Sequence, residues 1–193
     1  MMNSDLSRLF RNFLDDDNTY GIRRDIKLRV VEQNGEEIYQ ATDLKANDPT
    51  YRLKPNTLDP MSENEALEKG FKENRDLSNR ATNIEHNNYT KEVEYIDKDG
   101  GLQKSSVQFI FTYAETSIQA LGGGSDWGKH YEANNQGISF MRSAREIEIS
   151  EKGLVGNSDE RNRWWGAEIR FGPELDELFG VDAAKQRIRF IRK

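Results

Sequence analysis

"WWGAEIRFGPELDELFG", residues 164–180, reads as a strand running directly into a helix. Trp164 to Phe171 are β-prone and mix apolar with polar positions. Pro173 then falls at the first helical position, Glu174 and Asp176 place acids in the first turn, and Gly180 stands just past the end. Together these make a complete helix signature. Consecutive strand residues point to opposite faces, so one of Trp164 and Trp165 is expected in the core. The other is expected to cover a helix or a partner. The next stretch, "FGVDAAKQ" (179–186), carries a second short helical signal with a single lysine, Lys185, in its first turn. The helix dipole already supplies positive charge there, so an anion is expected close to Lys185.

The strand at 164–171 has companions upstream. "GISFMRSAREIEIS" (137–150) reads as a strand or a pair of strands with Ile138, Phe140, Ile147 and Ile149 inward. "KEVEYIDKDGGLQKSSVQFIFTYA" (91–114) is a hairpin turning at Asp99-Gly100-Gly101, and "IKLRVVEQNGEEIYQAT" (26–42) is another around Asn34-Gly35. "SDLSRLFRNFL" (4–14) predicts an amphipathic helix capped by Ser4, with Leu6, Leu9, Phe10, Phe13 and Leu14 at helical spacing. A short helix over 115–121 is expected to end in the triple glycine 122–124. Residues 46–90 are thin in branched apolars and rich in Asn and Glu, which reads as a long, partly mobile surface excursion. Hairpins, then strands, then a helix predict an α+β fold: a mixed β-sheet with helices packed on one face, in a single domain spanning 1–193.

Composition narrows the function classes. Net charge is −6 with a pI near 5.2, so no chain-wide basic field would draw nucleic acid or anionic lipid. Cysteine is absent, which removes thiol nucleophiles, thiolate metal sites and disulfides together. The two histidines, His86 and His130, are too few for a histidine-rich zinc centre. No apolar run approaches the ~20 residues of a membrane-spanning helix. The N-terminus lacks the pattern of a secretory signal, and the expected location is cytoplasmic.

Several motifs compete with plainer readings. "GGSDWGKH" (123–130) matches G-x-x-x-x-G-K but has His130 where a magnesium-binding hydroxyl belongs. The segment before it reads as helix rather than strand, so a glycine loop is the better reading. Arg142 and Arg145 beside Glu146 and Glu148 could form an anion site, although a charged strand face with cross-strand pairs is commoner. Arg161 and Arg163 next to two tryptophans suggest base stacking and phosphate contact, against which the acidic net charge weighs. The paired carboxylates, Asp176-Glu177 among them, read as residents of turns and solvated helix faces. No self-contained catalytic set is legible. Locally, Lys185 reads as the i, i+3 partner of Asp182, a contact worth a few tenths of a kcal/mol.

The stretches "SDWGKHYEANNQGISFMRSAREIEI" and "RNRWWGAEIRFGPELDELFGVDAAKQ", about a third of the chain, resemble the second, transducer domain of one branch of the gyrase, heat-shock chaperone, histidine kinase and mismatch-repair (GHKL) ATPases. That branch is bacterial and phage-associated. Gly128, His130, Asn135, Gly137, Ser139, Arg142, Arg145, Glu146, Arg163, Trp164, Trp165, Gly166, Pro173, Glu174, Leu175, Asp176, Gly180, Lys185 and Gln186 carry the likeness. The resemblance implies a transducer fold like that of a ribosomal-protein domain. It also implies that Lys185, with Gln186 beside it, reaches the γ-phosphate of ATP held by a preceding domain. The superfamily's own nucleotide motifs, a Glu and Asn on one helix followed by D-x-G-x-G, are missing. ATP and Mg2+ are thus implied only in a separate N-terminal ATPase domain, which would be the partner, with homodimer closure as its consequence. The closing "RIRFIRK" favours a fragment of a longer protein. The alternative expectation is a non-catalytic interaction module that uses exposed aromatic residues.

Overall fold

The structure, a computed structural model, describes residues 2–15, 23–31, 37–50, 53, 88–113, 119–120, 122–125, 128–129, 137–150 and 164–188. Two short helices open the chain, α1 (Met2–Leu9) and α2 (Arg11–Leu14). Strands β1 (Lys27–Val31) and β2 (Glu37–Asp43) then pair as an antiparallel two-stranded sheet. The main sheet is built from β3 (Asn88–Ile96), β4 (Leu102–Tyr113), β5 (Ile138–Arg142), β6 (Arg145–Ser150) and β7 (Trp165–Phe171). After β7 come a 3-10 turn (Pro173–Leu175) and a single helical turn, α3 (Asp176–Phe179). The fold is α+β, as the segment order predicts. The turn at Asn34-Gly35 and most of the segments 46–90 and 115–121 lie outside the described residues.

Strand order is β3-β4-β7-β5-β6. The two hairpins β3–β4 and β5–β6 are joined by β7, which runs antiparallel to β4 and parallel to β5. The pleat sends successive side chains to opposite faces. One face carries an apolar core of Val107, Phe140, Ile147, Phe171 and Leu175, with Phe179, Val181 and Ile188 packed against it. Phe171 and Phe179 stack with ring centroids 3.9 Å apart, which seats the 173–179 segment on this side. Ser139 and Glu168 point to the other face, where they meet α2. The expectation of helices on one face therefore holds for α1 and α2, while the short 173–179 turn covers the opposite side.

Cover on both faces explains a departure from strict alternation. Ser139, Phe140 and Met141 of β5 are all buried, so polar and apolar neighbours are equally enclosed. Trp164 and Trp165 are each only 4% exposed, so both are enclosed and neither is the exposed tryptophan an interaction module would use. The excursion expected from residue 46 is corrected at its start, because Ala46 through Thr50 are buried. This segment crosses Gly166 so closely that an added Cβ there would collide with the Pro49 carbonyl oxygen. Gly166→Val is accordingly expected to cost about 1–3 kcal/mol, as overpacking does, seen as a lowered urea midpoint with an unchanged slope.

The expected second helix at 181–186 is absent. Val181 bridges Ile188, and Asp182 N–H donates to the Arg187 carbonyl at 3.1 Å, closing a loop instead. Lys185 sits in the left-handed region at φ 58, where an L-residue carries roughly 1–2 kcal/mol of strain. Gly180, at φ 61, ends α3 in the left-handed conformation its position predicts.

Candidate functional site

Two charged clusters flank the sheet. The first lies where β5, α3 and the 181–188 loop meet. Arg142, at the end of β5, grips Asp176 with both arms of its guanidinium, Nε to Oδ1 at 2.6 Å and Nη2 to Oδ2 at 3.0 Å. Lys185 Nζ donates to the same Oδ2 at 2.6 Å. Asp176 therefore serves two cations, and it is more enclosed than either, at 17% side-chain exposure against 25% for Arg142 and 42% for Lys185. Burial pushes the Asp176 carboxyl up, but the Arg142 and Lys185 hydrogen bonds and charges outweigh it and hold it below the usual range. The Arg142 guanidinium is correspondingly pushed up, chiefly by its hydrogen bond to Asp176.

The anion beside Lys185 is thus an aspartate, but not the one that local spacing points to. Asp182 uses its carboxylate on the Gln186 backbone N–H, at 2.9 Å, and its carbonyl on Lys185 N–H, at 3.0 Å. Its side chain caps the loop, so the expected Asp182–Lys185 ion pair is corrected to Asp176–Lys185. Asp176 likewise leaves the solvated helix face on which sequence placed it. Gln186 is exposed.

The second cluster is buried on the opposite face. Arg11 of α2 is fully enclosed and donates to Glu146 of β6 at 2.7 Å, Glu168 of β7 at 2.6 Å and Ser139 of β5 at 2.6 Å. Asp48 lies 3.7 Å from its Nε, an atom that makes no hydrogen bond. Arg8 adds a contact of 2.6 Å to Glu146, and Arg170 bonds Glu168. Burial alone would lower the Arg11 guanidinium, but Glu168, Glu146 and Asp48 push it above its ordinary value. For Glu168, burial acts upward and is outweighed by the charges and hydrogen bonds of Arg11 and Arg170, so the carboxyl stays depressed.

Depressed carboxyls stabilise the fold above their unfolded pKa and lose that contribution as pH falls through the folded one. The unfolded references are 4.5 for Glu168 and 3.8 for Asp176. A thermal midpoint that is flat down to ~pH 5 and falls steeply at lower pH is the expected profile. Glu168→Gln should flatten the fall while lowering the plateau, which thermal melts across pH will show.

The other sequence candidates divide. Arg142, Arg145 and Glu146 come from one hairpin but do not act together. Arg142 faces Asp176, Arg145 sits over the Phe10 ring at 5.8 Å, and Glu146 is buried against α1 and α2. The expected cross-strand pairing of Glu146 is therefore replaced by pairing to helix arginines. His130, Asn135 and Arg163 lie outside the described residues. In the glycine loop, Gly128 N–H donates to Ser125 Oγ at 3.1 Å and Lys129 N–H to the Ser125 carbonyl at 3.0 Å. Those two amides are used within the loop rather than offered to a phosphate. Among the described residues no group of three His, Cys, Asp or Glu is placed to hold a metal. No helix among them is long and apolar enough to cross a membrane.

An open cleft of about 290 Å³ between the end of α2 and the β1–β2 hairpin is lined by Arg23, Arg24, Lys27 and Lys45 against Asp25 and Asp43, an excess of positive charge. No family model, curated protein or solved structure matches this chain.

Proposed function

We propose that this chain is the transducer region of a GHKL-type ATPase, relaying nucleotide state in a separate domain into conformational change, with Lys185 as the contact to the γ-phosphate. The 125–186 likeness motivates the reading. The observation that carries it is the setting of Lys185: a half-exposed ammonium at an element junction, on backbone held at φ 58. Left-handed non-glycine residues concentrate at binding and switch sites, where the surroundings over-determine them. Gln186 is an accessory in this reading, and ATP with Mg2+ belongs to the partner domain. The test joins the chain to the nucleotide-binding domain that the reading requires and follows ATP turnover on Lys185→Ala; unchanged turnover ends the proposal.

A second reading, an interaction module, is favoured by a different observation. Among the described residues its exposed aromatics are not Trp164 and Trp165 but Tyr89, Phe109 and Phe111, which are 60%, 36% and 41% exposed. Tyr89 lies directly opposite Phe109 in the β3–β4 register, and Phe111 follows on the same face. On this reading Phe109→Ser abolishes partner capture while Lys185 is dispensable.

A further inference from the structure

Asp176 is paired twice over, and that asymmetry has a thermodynamic meaning. If Lys185 departs, Asp176 keeps both hydrogen bonds from Arg142, so no enclosed carboxylate is left orphaned. If Arg142 were lost, Lys185 would be the carboxylate's remaining cation. Leaving a buried charge unpaired is the expensive event, whereas separating a half-exposed lysine from a still-paired carboxylate is cheap. Lys185 is also the most exposed of the three and the one on left-handed backbone. We infer that Lys185 is a releasable cation, parked on Asp176 and surrendered by exchange to an incoming phosphoryl group while Arg142 retains the aspartate. This rests on the reading of Lys185 as a phosphate contact and adds the resting state from which it acts. The surroundings favour parking over anion binding in place. Glu174 acts electrostatically on Arg142, and Asp182 holds its carboxylate inside the loop on the Gln186 N–H, so the lysine must move to meet an anion.

The experiment is amine acylation of the full chain, with each lysine quantified by mass spectrometry. Lys104 serves as the internal reference, since it is exposed and bonded to Glu92 at 2.6 Å rather than to Asp176. Asp176→Asn should raise Lys185 acylation roughly two- to fivefold, the range that a half-exposed ion pair commands, and leave Lys104 unchanged. Arg142→Met should do the reverse, lowering Lys185 acylation because Asp176 then has no cation but the lysine. A merely structural cluster would loosen in both variants, so equal or raised acylation in Arg142→Met overturns the inference.

Inorganic tripolyphosphate should protect Lys185 but not Lys104, more strongly in Asp176→Asn and more weakly in Arg142→Met. Orthophosphate in a parallel series separates the sources. Protection by tripolyphosphate alone assigns the terminal group of a phosphate chain, and equal protection by both assigns free phosphate. Protection that is the same in all variants overturns the exchange and leaves Lys185 standing as a phosphate contact. Protection by neither anion overturns the exchange, and the reading of Lys185 as a phosphate contact is then decided by turnover in the joined protein.

Discussion

Arg11→Met is expected to destabilise the protein by about 3–5 kcal/mol, the cost of removing one partner from a buried ion pair. Methionine approximates the length and volume of arginine, so the change reports the charge rather than a cavity. What it leaves behind is Glu146 at 1% exposure and Glu168 at 0%. Each retains one arginine, Arg8 or Arg170, which places the loss toward the lower end of that range. The converse experiment sharpens the result. Replacing three members, as in R11M/E146L/E168L, removes those desolvated charges together, leaves Asp48 to its hydrogen bonds from Thr50, and should recover part of the lost stability. Denaturant midpoints at neutral pH measure both. A single R11M variant within about 0.5 kcal/mol of the parent would show that water reaches the cluster in solution.

The second large effect concerns Lys185. If its ammonium meets the γ-phosphate where charge develops, Lys185→Ala in the joined protein should lower ATP turnover about 10²–10³-fold, as loss of one preorganised charge-stabilising donor does. The fold itself should hardly notice, because a half-exposed ion pair is worth about 0–1 kcal/mol and Asp176 keeps Arg142. Turnover and stability therefore separate, and an unchanged thermal midpoint beside a collapsed rate distinguishes lost chemistry from unfolding. Gln186→Ala should have a much smaller effect, since the loop uses the Gln186 backbone N–H rather than its side chain.

Much of the framework was legible in short-range signals. Asn-Gly and Asp-Gly-Gly turns announced both hairpins, and Pro173 with Gly180 bracketed the last helical turn. The site was less so, for reasons that differ by residue. The stripe Leu6, Leu9, Phe10, Phe13 and Leu14 suggested an apolar helix face, yet of these only Leu14 is buried, alongside Ser7, Arg11, Asn12 and Asp15. The available signal was Glu146 and Glu168 in mid-strand, carboxylates that need a cation once both faces of a sheet are covered. Asp176 escaped for another reason. Its partners Arg142 and Lys185 come from separate elements, and no periodicity within α3 records them. Asp182 looked like the partner of Lys185 because the segment was read as helical, and its left-handed residue defeats that spacing.

The place of β7 in the sheet has a consequence for how the chain is made. The hairpins β3–β4 and β5–β6 are local in sequence and can zip as soon as they leave the ribosome, but neither is stable alone in water. They share no strand pairing except through β7, which is synthesised after both. The Arg11 contacts to Glu146 and Glu168 span 135 and 157 residues, so the N-terminal helices also wait for the same stretch. Folding should therefore be slow and nearly all-or-none, limited by closing long loops around one late strand. Until residues 165–171 emerge, the nascent chain presents two open sheet edges to whatever is nearby, and a chaperone that shields strand edges would matter most in that interval.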